Sequence, residues 1–196
     1  MTDNAPWRGR LLAAAGIFGL IFLTVPLVIV IPMSFSSAQA LTFPPPGLSL
    51  RWYESFFGDP RWIDAMTTSA VLALISSVIA LFLGGLAAYG LRRCTFAGRG
   101  WAEANFMAPL IVPTIIAAVA LYLGLAKVGL LGSFLGLVVA HTLLTVPLVI
   151  MVLGVAIREL DVRIEQVAWS LGASWSYTMR KVVLPNLAPS VFAAWI

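Results

Sequence analysis

From Leu11 to Met33 the chain carries no charged side chain, and the same holds for Thr67 to Leu91, Phe106 to Ala126 and Gly132 to Ala156. A run of about 20 apolar residues is what an α-helix needs to cross the hydrocarbon of a bilayer. Inside lipid every backbone N–H and C=O must find its partner within the chain, so segments of this kind fold as helices. Four such runs therefore exclude an ordinary water-soluble core. Composition agrees: 61% of residues are hydrophobic and 10% charged, against roughly a quarter charged in an average soluble domain. The fold class read from these runs is all-α, a polytopic transmembrane helix bundle.

The chain divides as follows. Residues 1–10 form a polar tail. The spans are 11–33, 67–91, 106–126 and 132–156, with an outer loop at 34–66 and a polar loop at 157–186. Residues 187–196 begin a fifth span. The apolar residues after Pro185 rise only about 16 Å, too little to cross the hydrocarbon, so the sequence is read as stopping inside that span. Ala38-Gln39-Ala40 resembles a signal cleavage site, but the first apolar run is longer than a signal h-region and is kept as a span.

Local features follow from residue type. In the outer loop, Pro44-Pro45-Pro46-Gly47 reads as a stiff extended piece. Ser49 caps a short helix, Leu50 to Phe57, with i,i+4 aromatic pairs Trp52/Phe56 and Tyr53/Phe57. Glu54, Asp59 and Asp64 offer negative charge that could concentrate a cation, and Arg51 and Arg61 oppose it. In the second span Ser69, Ala73, Ser76, Ala80 and Gly84, continued by Ala87 and Ala88, form a small-residue stripe of the type that lets helices approach closely in lipid. Pro109 and Pro113 in the third span remove two helix hydrogen bonds and favour a kink. His141, Thr142 and Thr145 lie within about one turn of the fourth span. They read either as lining a translocation path or as hydrogen-bonding a neighbouring helix.

The longest polar stretch after the chain's middle runs from Arg158 to Pro189. Asp161 reads as an N-cap and Glu165 as negative charge near the positive end of a helix dipole. Gly172 supplies the stop, because it tolerates the left-handed conformation in which helices end. Ser174 caps a second short helix with Arg180 and Lys181 in its last turn. Ile164, Val167, Ala168 and Leu171 fall three or four apart, an apolar face that needs a cover.

These residues resemble a known signature. Membrane subunits of binding-protein-dependent ABC importers carry a loop patterned E-A-A-x3-G-x9-I-x-L-P. This chain has Gln166-Val167-Ala168, Gly172, Val182 and Leu184-Pro185 at that spacing, and Pro189 matches a further proline. Gln166 replaces the usual Glu, with Glu165 one place earlier, and Val167 replaces the first Ala. The outer segment Leu48-Ser49-Leu50-Arg51-Trp52-Tyr53 is similar to the first outer loop of spermidine/putrescine permeases. The resemblance implies a type I ABC importer permease of the methionine-importer-like fold, importing a polyamine or, alternatively, an aminophosphonate or inorganic ion. It implies that Glu165, Gln166, Val167, Ala168, Gly172, Val182, Leu184 and Pro185 form the loop that couples to the ATPase. The partners it implies are cytoplasmic ATP-binding subunits, a second permease subunit, an extracytoplasmic substrate-binding protein and the lipid bilayer.

Orientation and chemistry are read separately. Nine of the twelve Arg and Lys residues fall in the tail, the second loop and the Arg158–Pro189 stretch. The positive-inside rule makes those segments cytoplasmic, in a bacterial inner membrane by the resemblance. The net charge of +4 then reports orientation and is no sign of nucleic-acid binding. Cys94 is alone, so no intrachain disulfide forms. No phosphate-binding loop of the G-x4-G-K-[ST] type is present. With one histidine and no acidic partner near it in the span, no catalytic set, metal site or cofactor is assigned. An intramembrane enzyme, the rival class, would need such a set, and a structural or receptor protein would not need the Gly172 and Leu184-Pro185 spacing.

Overall fold

The computed structural model describes residues 6–40 and 42–196. The first five residues of the expected tail lie outside them. The apolar runs are helical, and among the described residues the β pairing is a single isolated bridge, Ser36 to Leu48. The chain forms two compact units, one ending at Thr67 and one running from Thr68 to Ile196.

In the first unit, α1 (Pro6–Ser34) turns most of its apolar side chains outward. That is the surface a helix presents to lipid, not to water. Pro26 and Pro32 sit inside it without ending it. The following segment is tied by backbone bonds from Ser37 to Gly47 and from Ser49 to Phe35. The Ser34 and Tyr53 hydroxyls meet at 2.8 Å, and Arg51 reaches the Ser37 carbonyl at 3.0 Å. The short helix α2 is Arg51–Gly58, one residue later than expected, with the Ser49 hydroxyl accepting from the Arg51 N–H. Its rings do not pair four apart. Tyr53 packs on Phe35, and Phe56 on Phe57 and Trp62, because the chain on either side of α2 folds back over it.

Helix α3 (Pro60–Arg93) begins well before Thr67, where the second span was expected to start. Asp59 supplies the start by accepting the Arg61 N–H at 3.0 Å. Deep in the helix Ser76, Ala80, Gly84 and Ala88 are buried, so the lower part of the small-residue stripe packs. Ser69 and Ala73 are exposed. The partner is α6 (Phe134–Glu159), capped by the Ser133 side chain. A Cβ on Gly84 would lie 2.8 Å from the Val149 Cβ, so only glycine permits this approach. Ala80, Ala88 and Leu91 join Val149, Ile150, Leu153 and Ile157 in the core, with Val183 and Leu187.

The third apolar run bends, as its prolines favour. It holds two helices, α4 (Arg99–Ile111) and α5 (Thr114–Lys127), at 107° to each other across the break. Pro113 has no N–H to give, and a residue before proline is driven out of the helical region. Val112 is accordingly extended, while its own N–H closes α4 on Ala108. Pro109 lies inside α4 without breaking it.

Candidate functional site: the α7–α9 loop

Helix α7 (Val162–Ser170) starts at Asp161, whose side chain accepts the Arg163 N–H at 2.9 Å. It stops at Gly172, the left-handed residue at φ +84°. Gly172 N–H bonds the Trp169 carbonyl and Ala173 N–H reaches back to Ala168, the paired closure of a Schellman motif. Ser174 then caps α8 (Trp175–Thr178).

The second short helix does not end at Lys181. It runs through a π-helical turn, Met179–Val183, directly into α9 (Leu184–Trp195). Leu184 and Pro185 are thus the first turn of α9, and the polar loop ends earlier than residue 186. Pro185 explains the wide turn. It has no N–H for the Lys181 carbonyl, and Leu184 N–H instead reaches Met179, five residues back. The Asn186 side-chain amide takes the Val182 carbonyl at 2.7 Å.

Within this chain the apolar face of α7 is uncovered, and a charged residue is the one that turns in. Glu165 is 1% exposed and points inward, while Ile164, Val167 and Leu171 are 42%, 57% and 82% exposed. Gln166 is exposed and Ala168 half-buried. Glu165 is therefore more than a charge near a helix dipole. Its Oε1 accepts from Arg93 Nε at 2.9 Å and its Oε2 from the Tyr89 hydroxyl at 2.5 Å. Arg93 Nη2 also donates to the Leu160 carbonyl at 2.7 Å, and the Tyr89 ring meets Trp175 edge-on at 6.3 Å. The apolar face stays open because the buried ion pair decides which side of α7 turns in. A carboxylate facing a guanidinium inside the protein is stable only where it is fully paired.

Sequence reasoning missed Tyr89, Arg93 and Trp175. Their one legible signal was the spacing of Tyr89 and Arg93, four apart at the end of a span. Beside them Arg92 pairs with Glu103 of α4 at 2.9 Å and lies against Gly154. Of the other loop residues, Val182 is half-buried, and Leu184 and Pro185 are exposed.

His141, Thr142 and Thr145 share α6 but do not converge. His141 is exposed, and Thr142 is buried with no partner for its hydroxyl. Thr145 Oγ1 donates to the His141 carbonyl at 2.8 Å. In the segment expected to be outer, Asp59 is engaged by Arg61 at 2.8 Å, and the Arg61 hydrogen bonds hold its carboxyl below the usual range. It is an ion-paired cap, which removes it from the acidic group expected to attract a cation. Among the described residues no group of three or more His, Cys, Asp or Glu side chains could hold a metal ion.

The fold has a close likeness among solved structures. A bacterial ABC transporter involved in the import of the acidic polysaccharide alginate matches all of this chain and 70% of its own, with a TM-score of 0.75 and 16% identity. The likeness shows that the two chains share a fold. In sequence, the spermidine/putrescine transport system permease protein PotC of Haemophilus influenzae is 30% identical over 176 residues, 89% of this chain and 68% of the relative. The putrescine transport system permease protein PotI of Escherichia coli is 29% identical over 200 residues, 98% of this chain and 69% of the relative. No family model matches the chain. The chain belongs to the family of ABC importer permeases represented by these transport-system proteins, a transporter class. It spans about two thirds of the length of these curated relatives.

Proposed function

We propose that the chain is the membrane-spanning subunit of an importer for a polyamine such as putrescine or spermidine, with α7 as the helix that docks on a cytoplasmic ATPase. The observation that carries the docking role is the two-sided α7. Its inner side is locked by the buried Glu165–Arg93 pair, and its outer side leaves Ile164, Val167 and Leu171 uncovered. An exposed apolar face on a short, well-terminated helix is a surface made for a partner. The polyamine assignment is supported by the relatives' names. The chain would work with a second permease subunit and an extracytoplasmic binding protein. The excess of Arg and Lys puts α7 and the N-terminus on the cytoplasmic side. Gln166, Val167, Ala168, Gly172, Val182, Leu184 and Pro185 shape this surface or hold its turn.

The test is co-purification of the chain with its ATPase, then uptake of labelled putrescine and spermidine by the reconstituted complex. ATP-dependent uptake of either is the expected result. Uptake of an anion with no polyamine uptake would overturn the substrate, and failure to hold any ATPase would overturn the docking role.

A further inference from the structure

Both carboxylate oxygens of Glu165 are taken by α3, one by Arg93 and one by Tyr89. Those two residues are four apart, so they stand one turn apart on one face of the helix. Arg93 also holds the Leu160 carbonyl at the junction of α6 and α7, and Tyr89 meets Trp175 at the start of α8. One face of α3 therefore grips the loop at three points: before, within and after α7. Anchoring alone could be done by apolar packing, which is non-directional. Charge-assisted hydrogen bonds are short and add geometric specificity, so they resist shear between α7 and α3.

The other end of the argument lies in α3 itself. Its buried Ser76, Ala80, Gly84 and Ala88 share a face, and Gly84 lies directly against Val149 of α6. A small-residue contact in lipid brings backbones close without interlocking long side chains. Movement imposed on the end of α3 would be felt at this contact.

We infer that Tyr89, Arg93 and Glu165 form a strut that carries displacement of α7 into α3. They are positioning residues for transport, acting through the helices and not on the solute. The inference rests on α7 being the ATPase-docking helix.

The experiment uses the assembled importer in proteoliposomes, with uptake of labelled putrescine or spermidine and ATP hydrolysis measured together. ATPase content is followed by co-purification. A second readout does not depend on the solute: the maleimide labelling rate of Cys94, the exposed residue following Arg93, without nucleotide and with ATP. Tyr89→Phe keeps the ring against Trp175 and removes only the hydroxyl, and Glu165→Gln keeps the side-chain shape. Tyr89→Phe should hold the ATPase at the wild-type level, Glu165→Gln is read per ATPase held, and both should still hydrolyse ATP. Polyamine moved per ATP should fall by roughly fivefold or more, the lower bound of a typical coupling between two sites. The ATP-dependent change in Cys94 labelling should shrink in step. The double variant Tyr89→Phe, Glu165→Gln should be no worse than Glu165→Gln alone, because the Tyr89 hydroxyl acts only through Glu165.

Wild-type uptake per ATP and wild-type Cys94 response in Tyr89→Phe and Glu165→Gln would overturn the strut and leave the docking role standing. So would losses that merely track the amount of assembled complex. If Glu165→Gln does not assemble, Tyr89→Phe decides by the same two readouts. If the wild-type complex holds its ATPase but moves no polyamine, the substrate reading falls and the Cys94 response still decides the strut. A wild-type chain that holds no ATPase overturns the docking role and this inference with it.

Discussion

Gly172 shows how a single residue can shape the loop without touching anything beyond it. A Cβ placed there would meet no atom within 4 Å, yet the backbone sits at φ +84°. The whole penalty of substitution is therefore conformational, about 1–2 kcal/mol for a side chain forced into the left-handed region. Gly172→Ala should weaken the α7–α8 turn by about that amount, and β-branched Gly172→Val should be worse. Gly172→Asn should be mild, since Asn tolerates this conformation. The check is ATPase co-purification across the three variants, with membrane insertion unchanged in all. Equal retention by Gly172→Val and wild type would show that the turn does not shape the docking surface. Gly84 is the opposite case, because there the space is what is missing. Gly84→Val adds bulk where even a Cβ would stand 2.8 Å from Val149. Overpacking of this kind costs about 1–3 kcal/mol, so the variant should lower the thermal midpoint of the purified protein. An unchanged midpoint would mean that α3 and α6 separate easily.

At the scale of elements, proline shapes two places in different ways. Pro113 divides one apolar run into α4 and α5 because Val112 before it is extended. Pro185 divides nothing, because the chain widens into a π turn and α9 continues. Pro185→Ala restores the N–H that the Lys181 carbonyl lacks. The turn should then relax to α geometry, and one residue of register turns the upstream segment by about 100°. The expected outcome is a permease that inserts normally and loses uptake, because α7 and α8 face a new direction relative to α9. Uptake equal to wild type at equal abundance would show that the π turn is incidental.

For the whole molecule, sidedness is the property that the docking role requires. Ser37 and Cys94 are both exposed in the structure, so neither is protected by burial. In intact cells an impermeant thiol reagent should label Ser37→Cys, placed in a chain with Cys94→Ser, and should leave the native Cys94 of the unmodified chain unlabelled. Labelling of Cys94 with protection at position 37 would invert the topology and put α7 on the side where no ATPase is found. The same labelling bears on the bent α4–α5 pair. The C-terminal ends of α3 and α6 meet where Arg93 holds the Leu160 carbonyl, so the pair between them has to return the chain across the membrane. Single cysteines at Gly100 and Gly129 should then react differently, and equal reaction would overturn the crossing.

What the amino-acid sequence determined by itself was whatever depends on neighbours along the chain. Uninterrupted apolar runs dictate helices in lipid, Asp161 and Ser174 cap, and Gly172 takes the left-handed turn. Each outcome follows from side chains within a few positions and needs no knowledge of the fold. The site itself was legible only in part. The loop and its spacing could be read, but the face of α7 that turns inward could not. The apolar periodicity of Ile164, Val167 and Leu171 calls for a cover, and within this chain all three are exposed. Only the tertiary structure decided that Glu165 is the inner residue, because Arg93 and Tyr89 lie 72 and 76 positions away. The sharpness of the Pro113 bend and the unbroken path through Pro185 were decided there too. Proline states which hydrogen bond is missing, whereas the packing around it selects between a break and a wider turn.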